Sequence, residues 1–109
     1  MVDRTIEFHD EAGAEYDAAF DWYLDRSPDA ALGFDAEVAR ALTLIGQAPQ
    51  RWARGSSNTH RFLLRQFPYV LIYRERAAQE LEVVAVAHCS LAALNSHLFS
   101  TFVIANTAK

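Results

Sequence analysis

The sequence predicts a single α+β domain in which a helical hairpin covers one face of a mostly antiparallel β-sheet. The chain has 109 residues, of which 51% are apolar and 22% are charged, a composition typical of one globular domain. Apolar residues recur at helical spacing in the first half and alternate as in strands in the second half. A β-prone run precedes the first helix, so we expect an N-terminal strand that joins the same sheet.

The first elements are a short strand and a helix. Residues 5–9 (TIEFH) are β-prone, and Asp10 follows as the expected N-cap of a helix. One face of that helix carries the apolar residues Ala12, Tyr16, Ala19, Phe20 and Tyr23. This apolar face needs a partner, so the helix is expected to pack on the sheet.

A second helix begins directly after the first. Ser27, Pro28 and Asp29 supply a hydroxyl cap, a proline at the first helical position and an early carboxylate, all typical of a helix N-terminus. The apolar stripe of this helix contains Phe34, Val38, Ala41, Leu42 and Ile45. Gly46 and Pro49 are expected to end it. A tight turn between two such helices indicates an antiparallel hairpin.

The second half of the chain predicts a three-strand meander. Residues 50–59 are polar and loop-like, and residues 60–67 then alternate with a period of two. Residues 69–76 are rich in β-branched and aromatic side chains, and a turn at residues 77–79 leads into a last strand, residues 80–88. That last strand is apolar on both sides, so we expect it to be central and covered on both faces.

The charge is distributed unevenly along the chain. Residues 1–50 hold eleven acidic and three basic side chains, a net charge of −8, whereas residues 51–109 hold seven basic and three acidic ones, a net charge of +4. If the second half forms one surface, that surface attracts an acidic partner. The overall charge of −4 makes nucleic acid a less suitable partner than protein.

Several classes of protein are excluded by simple features. The single cysteine, Cys89, cannot form an internal disulfide, and no apolar run approaches the roughly 18 residues of a membrane span. No leader-like segment follows Met1, so we expect a cytoplasmic protein without membrane contact. The four histidines are scattered without metal-ligand spacing, so we expect no metal site.

The order and spacing of several short motifs resemble a known protein family. They are Trp22-Tyr23, Phe34, Pro49, Arg61, Leu64, RQFPYVLIYR at residues 65–74 and VVAVAH at residues 83–88. Together they resemble the RelE/ParE superfamily of bacterial toxins, over about residues 4–88, and most closely its ParE and plasmid-stabilisation branch. The most specific part is the Phe67-Pro68-Tyr69 triplet followed by Ile72-Tyr73-Arg74 and an Ala-Val-Ala-His strand end.

This resemblance implies a function and a set of partners. Members of the superfamily are compact α+β toxins of type II toxin-antitoxin systems, each neutralised by a cognate antitoxin. ParE-like members inhibit growth by poisoning DNA gyrase, whereas RelE-like members cleave messenger RNA on the ribosome. Neither activity requires a metal or an organic cofactor. We therefore expect a protein-binding inhibitor that acts on gyrase, with a ribosome-dependent endonuclease as the alternative.

The C-terminal segment departs from the family pattern. We assign residues 1–88 to the toxin domain and residues 89–109 to a divergent tail. Many ParE-like members continue after the last strand with a basic pair and a Pro-x-Tyr-Trp segment, but this chain has no arginine from residue 77 onward. A third hypothesis is therefore an attenuated toxin that binds antitoxin without inhibiting growth.

Five residues are candidates for the functional site. Metal-free RNA cleavage needs a proton-transfer group and cations around the phosphate, so His88, Arg61 and Arg65 are the catalytic candidates. The candidates for binding antitoxin or target are Arg61, Arg65, Arg74 and Trp52. Each residue also has a structural interpretation. The arginines could keep an edge of the sheet solvated, His88 could form a hydrogen bond at the end of its strand, and Trp52 could close the edge of the core. Arg74 is also expected to pair with Glu82 on the next strand.

Overall fold

The computed structural model describes residues 4–55 and 57–89. The elements are β1 (Thr5–Phe8), α1 (Asp10–Arg26), α2 (Pro28–Gln47), β2 (Ala53–Arg54), β3 (His60–Leu63), β4 (Tyr69–Ala77) and β5 (Glu80–His88). They form one sheet of order β1-β5-β4-β3-β2, in which β1 is parallel to β5 and the other pairs are antiparallel. This is the predicted α+β fold, with the N-terminal strand in the sheet; residues 90–109 of the predicted tail lie outside the described residues.

Three local predictions were wrong by a few residues. Asp10 is the first residue of α1, and the cap is His9, whose side chain accepts a hydrogen bond from a backbone N–H of the first turn at 3.2 Å. The strand predicted for residues 60–67 ends at Leu63, because the chain turns between Leu64 and Tyr69, whose backbones bond at 3.0 Å. The predicted loop before it contains the two-residue strand β2.

Ser27 makes the turn between the two helices. Its backbone N–H donates to the carbonyl of Tyr23 at 2.7 Å, which ends α1, and its hydroxyl accepts from the N–H of Ala30 at 3.2 Å, which caps α2. Pro28 occupies the first turn of α2, where a missing N–H has no consequence. One residue therefore terminates one helix and starts the next, and the start is the part that the sequence predicted.

The main core lies between the helical hairpin and the sheet. The largest side chains that are almost completely enclosed are Phe34, Ile45, Leu71, Tyr73, Leu81 and Val83. Phe34 contributes from α2 and contacts the ring of Tyr69 in β4, with centroids 5.3 Å apart. Burial of each such side chain stabilises the fold by about 1.5–3 kcal/mol. The Tyr73 hydroxyl is satisfied by donating to the carbonyl of Pro49 at 2.7 Å.

The centre of the sheet is closed to solvent on its other face as well. Val70 and Ile72 alternate with the helix-facing residues of β4, yet they are only 2% and 4% exposed. The register shifts in β5, where Val84 is an extra residue between the partners of Ile72 and Tyr73. The bulge returns Val86 to the helix-facing core, so the side chains of β5 do not alternate strictly beyond Val84.

Candidate protein-binding site

Arg61 lies in β3 and is held inside the fold, with 7% of its surface exposed. Its register partner is Ile72, so its side chain leaves the sheet on the face away from the helices. The guanidinium Nη1 donates to the carbonyl of Arg54 on the neighbouring strand β2. Burial lowers the pKa of Arg61, but an arginine remains charged at physiological pH. Arg61 therefore braces the edge of the sheet, and its role in binding or catalysis stays a prediction.

Arg65 follows β3 and has an exposed side chain, but its backbone is anchored. Its N–H donates to Oε2 of Glu37 on α2 at 2.7 Å, and the same oxygen accepts from Arg40 at 2.9 Å. Burial alone would raise the pKa of Glu37, but these hydrogen bonds and the two positive charges outweigh it and lower the pKa. Glu37 therefore remains ionised and fixes the segment that presents Arg65.

His88 is the last residue of β5 and is half-buried. Its register partner is Tyr69, and the edge of its ring packs on the Tyr69 ring with centroids 4.9 Å apart. Tyr69 in turn contacts Phe34 of α2, so His88 lies on the helix-facing side of the sheet. The backbone N–H of Cys89 donates to the carbonyl of Pro68 at 2.7 Å and fixes the end of the strand.

The three catalytic candidates do not form one cluster. Arg61 and His88 leave the sheet on opposite faces. Arg65 and His88 belong to the same end of the sheet, because Leu64 bonds to the backbone of Tyr69, the partner of His88. Two strand spacings separate these backbones, about 10 Å. A catalytic role for any of them stays a prediction, but all three cannot surround one phosphate in this arrangement.

Arg74 lies toward the opposite end of β4 and forms the predicted ion pair. Its Nε and Nη2 both donate to Oε1 of Glu82, at 3.1 and 3.0 Å. The Glu82 side chain is only 9% exposed, so this pair is better shielded from water than an ordinary surface pair. Arg76 extends the network with a contact to Glu7 at 2.9 Å. The charge of Arg74 is therefore balanced within the fold.

Trp52 closes the edge of the core beside β2. Its ring meets Phe62 edge-on with centroids 4.6 Å apart, and it packs against the main core. The guanidinium of Arg51 lies 5.2 Å from the centre of the indole ring. The Nε1 of Trp52 is buried and has no hydrogen-bond partner among residues 4–55 and 57–89. These contacts match the core-edge alternative, and a role in partner binding stays a prediction.

We define the basic edge as Arg51, Arg54, Arg61 and Arg65, which accompany β2, β3 and the segment after β3. No acidic residue occurs between residues 51 and 65, so the positive charges are not neutralised by neighbours along the chain. Arg54 is oriented by a hydrogen bond from its Nη2 to Oδ1 of Asn58 at 3.1 Å. Within the described part of the chain, no three His, Cys, Asp or Glu side chains form a group that could hold a metal ion. The basic edge suits an acidic protein segment, since guanidinium groups bind carboxylates by paired hydrogen bonds.

Glu37 is the site residue that the sequence reasoning missed. It occupies the apolar stripe of α2, three residues after Phe34 and four before Ala41, and is 8% exposed. A carboxylate on a buried helix face needs hydrogen bonds, so its position was a signal that a partner must exist. The partner, 28 residues further along the chain, could not be read from the sequence.

Comparison with known proteins now decides the family. A family model described as the ParE toxin of the type II toxin-antitoxin system parDE matches residues 6–91, which extend from β1 to just beyond β5. The chain belongs to the ParE toxin family. The resemblance carried by the FPY, IYR and AVAH motifs is thereby confirmed. No curated protein sequence matched the chain.

The ParE fold is also supported by a solved structure. The chain is similar to one described as the chromosomal ParDE TA system from P. aeruginosa, with a TM-score of 0.67 and 17% sequence identity. The alignment covers 78% of this chain and 95% of the other. At this identity the likeness shows the fold alone. Neither described helix of this ParE family member is both long enough and apolar enough to cross a membrane.

Proposed function

We propose that this ParE family toxin is neutralised by a cognate antitoxin and inhibits growth in the cytoplasm by acting on DNA gyrase. The observation that carries the proposal is the family match over residues 6–91. Members of the ParE branch poison gyrase through a protein-protein contact, and this chain presents a basic edge suited to such contacts. Arg51, Arg54 and Arg65 are its exposed charges, since Arg61 is enclosed.

The placement of the candidate residues favours gyrase over the ribosome as the target. A metal-free nuclease needs a proton-transfer group and cations around one phosphate. The side chains of Arg61 and His88 lie on opposite faces of the sheet, so they do not meet this requirement together. The nuclease is therefore the weaker candidate.

Expression of the chain without antitoxin is the direct test. We expect growth arrest with induction of the DNA-damage response, and inhibition of plasmid supercoiling when the purified protein is added to gyrase. Primer extension on translated messages serves as the second measurement. Arrest with new 5′ ends and normal supercoiling would identify a nuclease and overturn the gyrase proposal.

The same experiment separates the attenuated toxin from the active one. Normal growth with abundant folded protein that still binds antitoxin would show that inhibition has been lost. In an active toxin, Arg65→Ala is expected to weaken both arrest and gyrase inhibition, because it removes one of the exposed charges of the basic edge. Arg26→Ala is the matched control, since Arg26 lies outside the basic edge, with its guanidinium over the ring of Trp22.

A further inference from the structure

A groove between the two helices is separate from the basic edge. It has a volume of about 290 Å³ and is bordered by Gly13 and Tyr16 of α1, by Asp35 and Leu42 of α2, and by Phe8 at the end of β1. This volume is at the lower limit for sites that enclose a whole small molecule. The groove therefore has room for a single large side chain of a partner.

The floor of the groove is apolar. Phe8, Val38 and Leu42 line it, and Val38 is only 3% exposed because it belongs to the main core. Tyr16 forms one wall and is held by stacking on Phe34, with centroids 5.4 Å apart. An apolar side chain that enters the groove leaves water and contacts these apolar side chains, and the free energy of this transfer is favourable.

The mouth of the groove is acidic. Asp17 and Asp35 border it from opposite helices, and both are exposed. The Tyr16 hydroxyl donates to Oδ1 of Asp35 and so fixes the position of that carboxylate. No lysine or arginine is among the described residues that line the groove. A cationic group on the occupant is therefore complementary, and an anionic one is repelled.

Gly13 keeps the groove open. It lies inside α1, where glycine is among the least favourable residues, and an added Cβ would meet no atom within 4 Å. Close packing against another element therefore does not require glycine at this position. Because Gly13 has no side chain, the space beside it remains part of the groove.

We propose that this groove binds a basic segment of a partner protein, which inserts one large apolar side chain between the helices. Lysine or arginine residues beside that side chain pair with Asp17 and Asp35. This goes beyond the proposed function, because the basic edge attracts acidic segments and the groove attracts basic ones. The toxin thus carries two docking surfaces of opposite charge, and the proposal does not depend on the identity of the toxin's target.

The test uses the full chain and a labelled short peptide whose central tryptophan lies between arginines. We expect fluorescence anisotropy to show saturable binding, and at least tenfold weaker binding of the matched peptide with glutamates in place of arginines. Gly13→Leu should reduce binding at least tenfold by filling the groove. Asp17→Asn and Asp35→Asn should each weaken it about threefold, the range of a partly exposed ion pair.

Leu32→Ala is the control, because Leu32 is 64% exposed and does not line the groove; its binding should be unchanged. Equal binding of the two peptides would overturn the proposal, as would full binding by a folded Gly13→Leu variant. If that variant did not fold, unchanged binding by the two asparagine variants would decide against it. A concentration-dependent dimer that Gly13→Leu abolishes would assign the groove to a second copy of the chain instead.

Discussion

At the scale of single residues, three charged side chains are enclosed among the residues that the structure describes. Glu37, Arg61 and Glu82 are 8%, 7% and 7% exposed. Burial of a charge is unfavourable unless hydrogen bonds replace the lost water, and each of these side chains has such bonds. Their bonds connect α2 to the segment after β3, β3 to β2, and β5 to β4. Each enclosed charge thus fixes the position of one element relative to another.

Glu37→Gln tests the first of these connections. The amide oxygen can still accept from the N–H of Arg65, but the attraction to the charges of Arg40 and Arg65 is lost. We expect the free energy of unfolding in urea to fall by about 1–3 kcal/mol at neutral pH. Because the folded protein lowers the pKa of Glu37, the loss should be complete above its ordinary pKa of 4.5 and shrink as the pH falls further.

Asp21→Asn is the control for this measurement. Asp21 is exposed on α1, so its substitution should change the free energy of unfolding by less than about 0.5 kcal/mol. Equal effects of the two substitutions would show that the bonds of Glu37 contribute nothing specific.

His60 makes the folded protein less stable in mild acid. It is 6% exposed and stacks on Tyr73, and its Nε2 has no hydrogen-bond partner in the part of the chain that the structure describes. Burial, followed by the charge of Arg54, lowers its pKa from 6.5, and Glu75 opposes this only partly. The unfolded chain therefore binds a proton at higher pH than the folded one, so stability decreases as the pH falls below about 6.5.

His60→Phe should remove this dependence. We expect the melting temperature of the wild type to fall between about pH 7 and pH 5, and the variant to show a flatter profile, because an apolar ring keeps the stacking without a charge. His9→Asn should retain the wild-type profile, since asparagine can also cap α1. A steep profile in the His60 variant would place the acid sensitivity elsewhere.

At the scale of elements, short-range chemistry determines the helical hairpin and long-range pairing determines the sheet. Ser27 terminates one helix and caps the next through bonds to residues four before it and three after it. The sheet instead pairs β1 with β5, which are more than seventy residues apart along the chain. The bulge at Val84 belongs to the pairing of β4 with β5, and it reverses which side chains of β5 face the helices.

Ser27→Ala tests the turn of the hairpin. Loss of the hydroxyl leaves the N–H of Ala30 without its cap, which should lower the free energy of unfolding by about 1 kcal/mol. Ser27→Asp should retain most of the stability, because its carboxylate accepts the same bond and favours a helix N-terminus. Chemical denaturation of both variants provides the measurement. An aspartate variant as unstable as the alanine one would show that the cap is not the cause.

At the scale of the whole molecule, the two halves of the chain carry opposite charge. The half that contains β1 and both helices has a net charge of −8, and the half that contains the other strands has +4. The acidic groove and the basic edge belong to these two halves. A partner that approaches is therefore oriented by the field before any contact forms.

Association with the cognate antitoxin should depend on salt. We expect the association rate, measured by stopped flow, to fall by about tenfold when NaCl is raised from about 0.05 to about 0.5 M. Arg51→Glu combined with Arg65→Glu should give a similar decrease at low salt. Arg26→Glu at the hairpin tip should have a much smaller effect. A rate independent of salt would rule out steering by the basic edge.

Most of the architecture could be predicted because its signals are local. The spacing of Phe34, Val38 and Ala41 predicts a helical face, and Ser27 with Pro28 predicts a helix start, from residues within one or two turns. Alternation of apolar and polar residues predicts strands in the same local way. The candidate site was predicted less well. Arg61 and Arg65 are both arginines in or just after β3, but the fold encloses Arg61 and exposes Arg65.

By itself, the sequence determined the helices, every strand except β2, their order and the ParE family of this protein, because cap residues, periodicity and short motifs act within a few positions. The tertiary structure alone decided that Arg61 is enclosed while Arg65 is exposed, that Glu37 holds the segment after β3, and that a groove opens beside Gly13. These features depend on contacts between segments far apart in the chain. Burial and hydrogen-bond partners are settled only when those segments pack together.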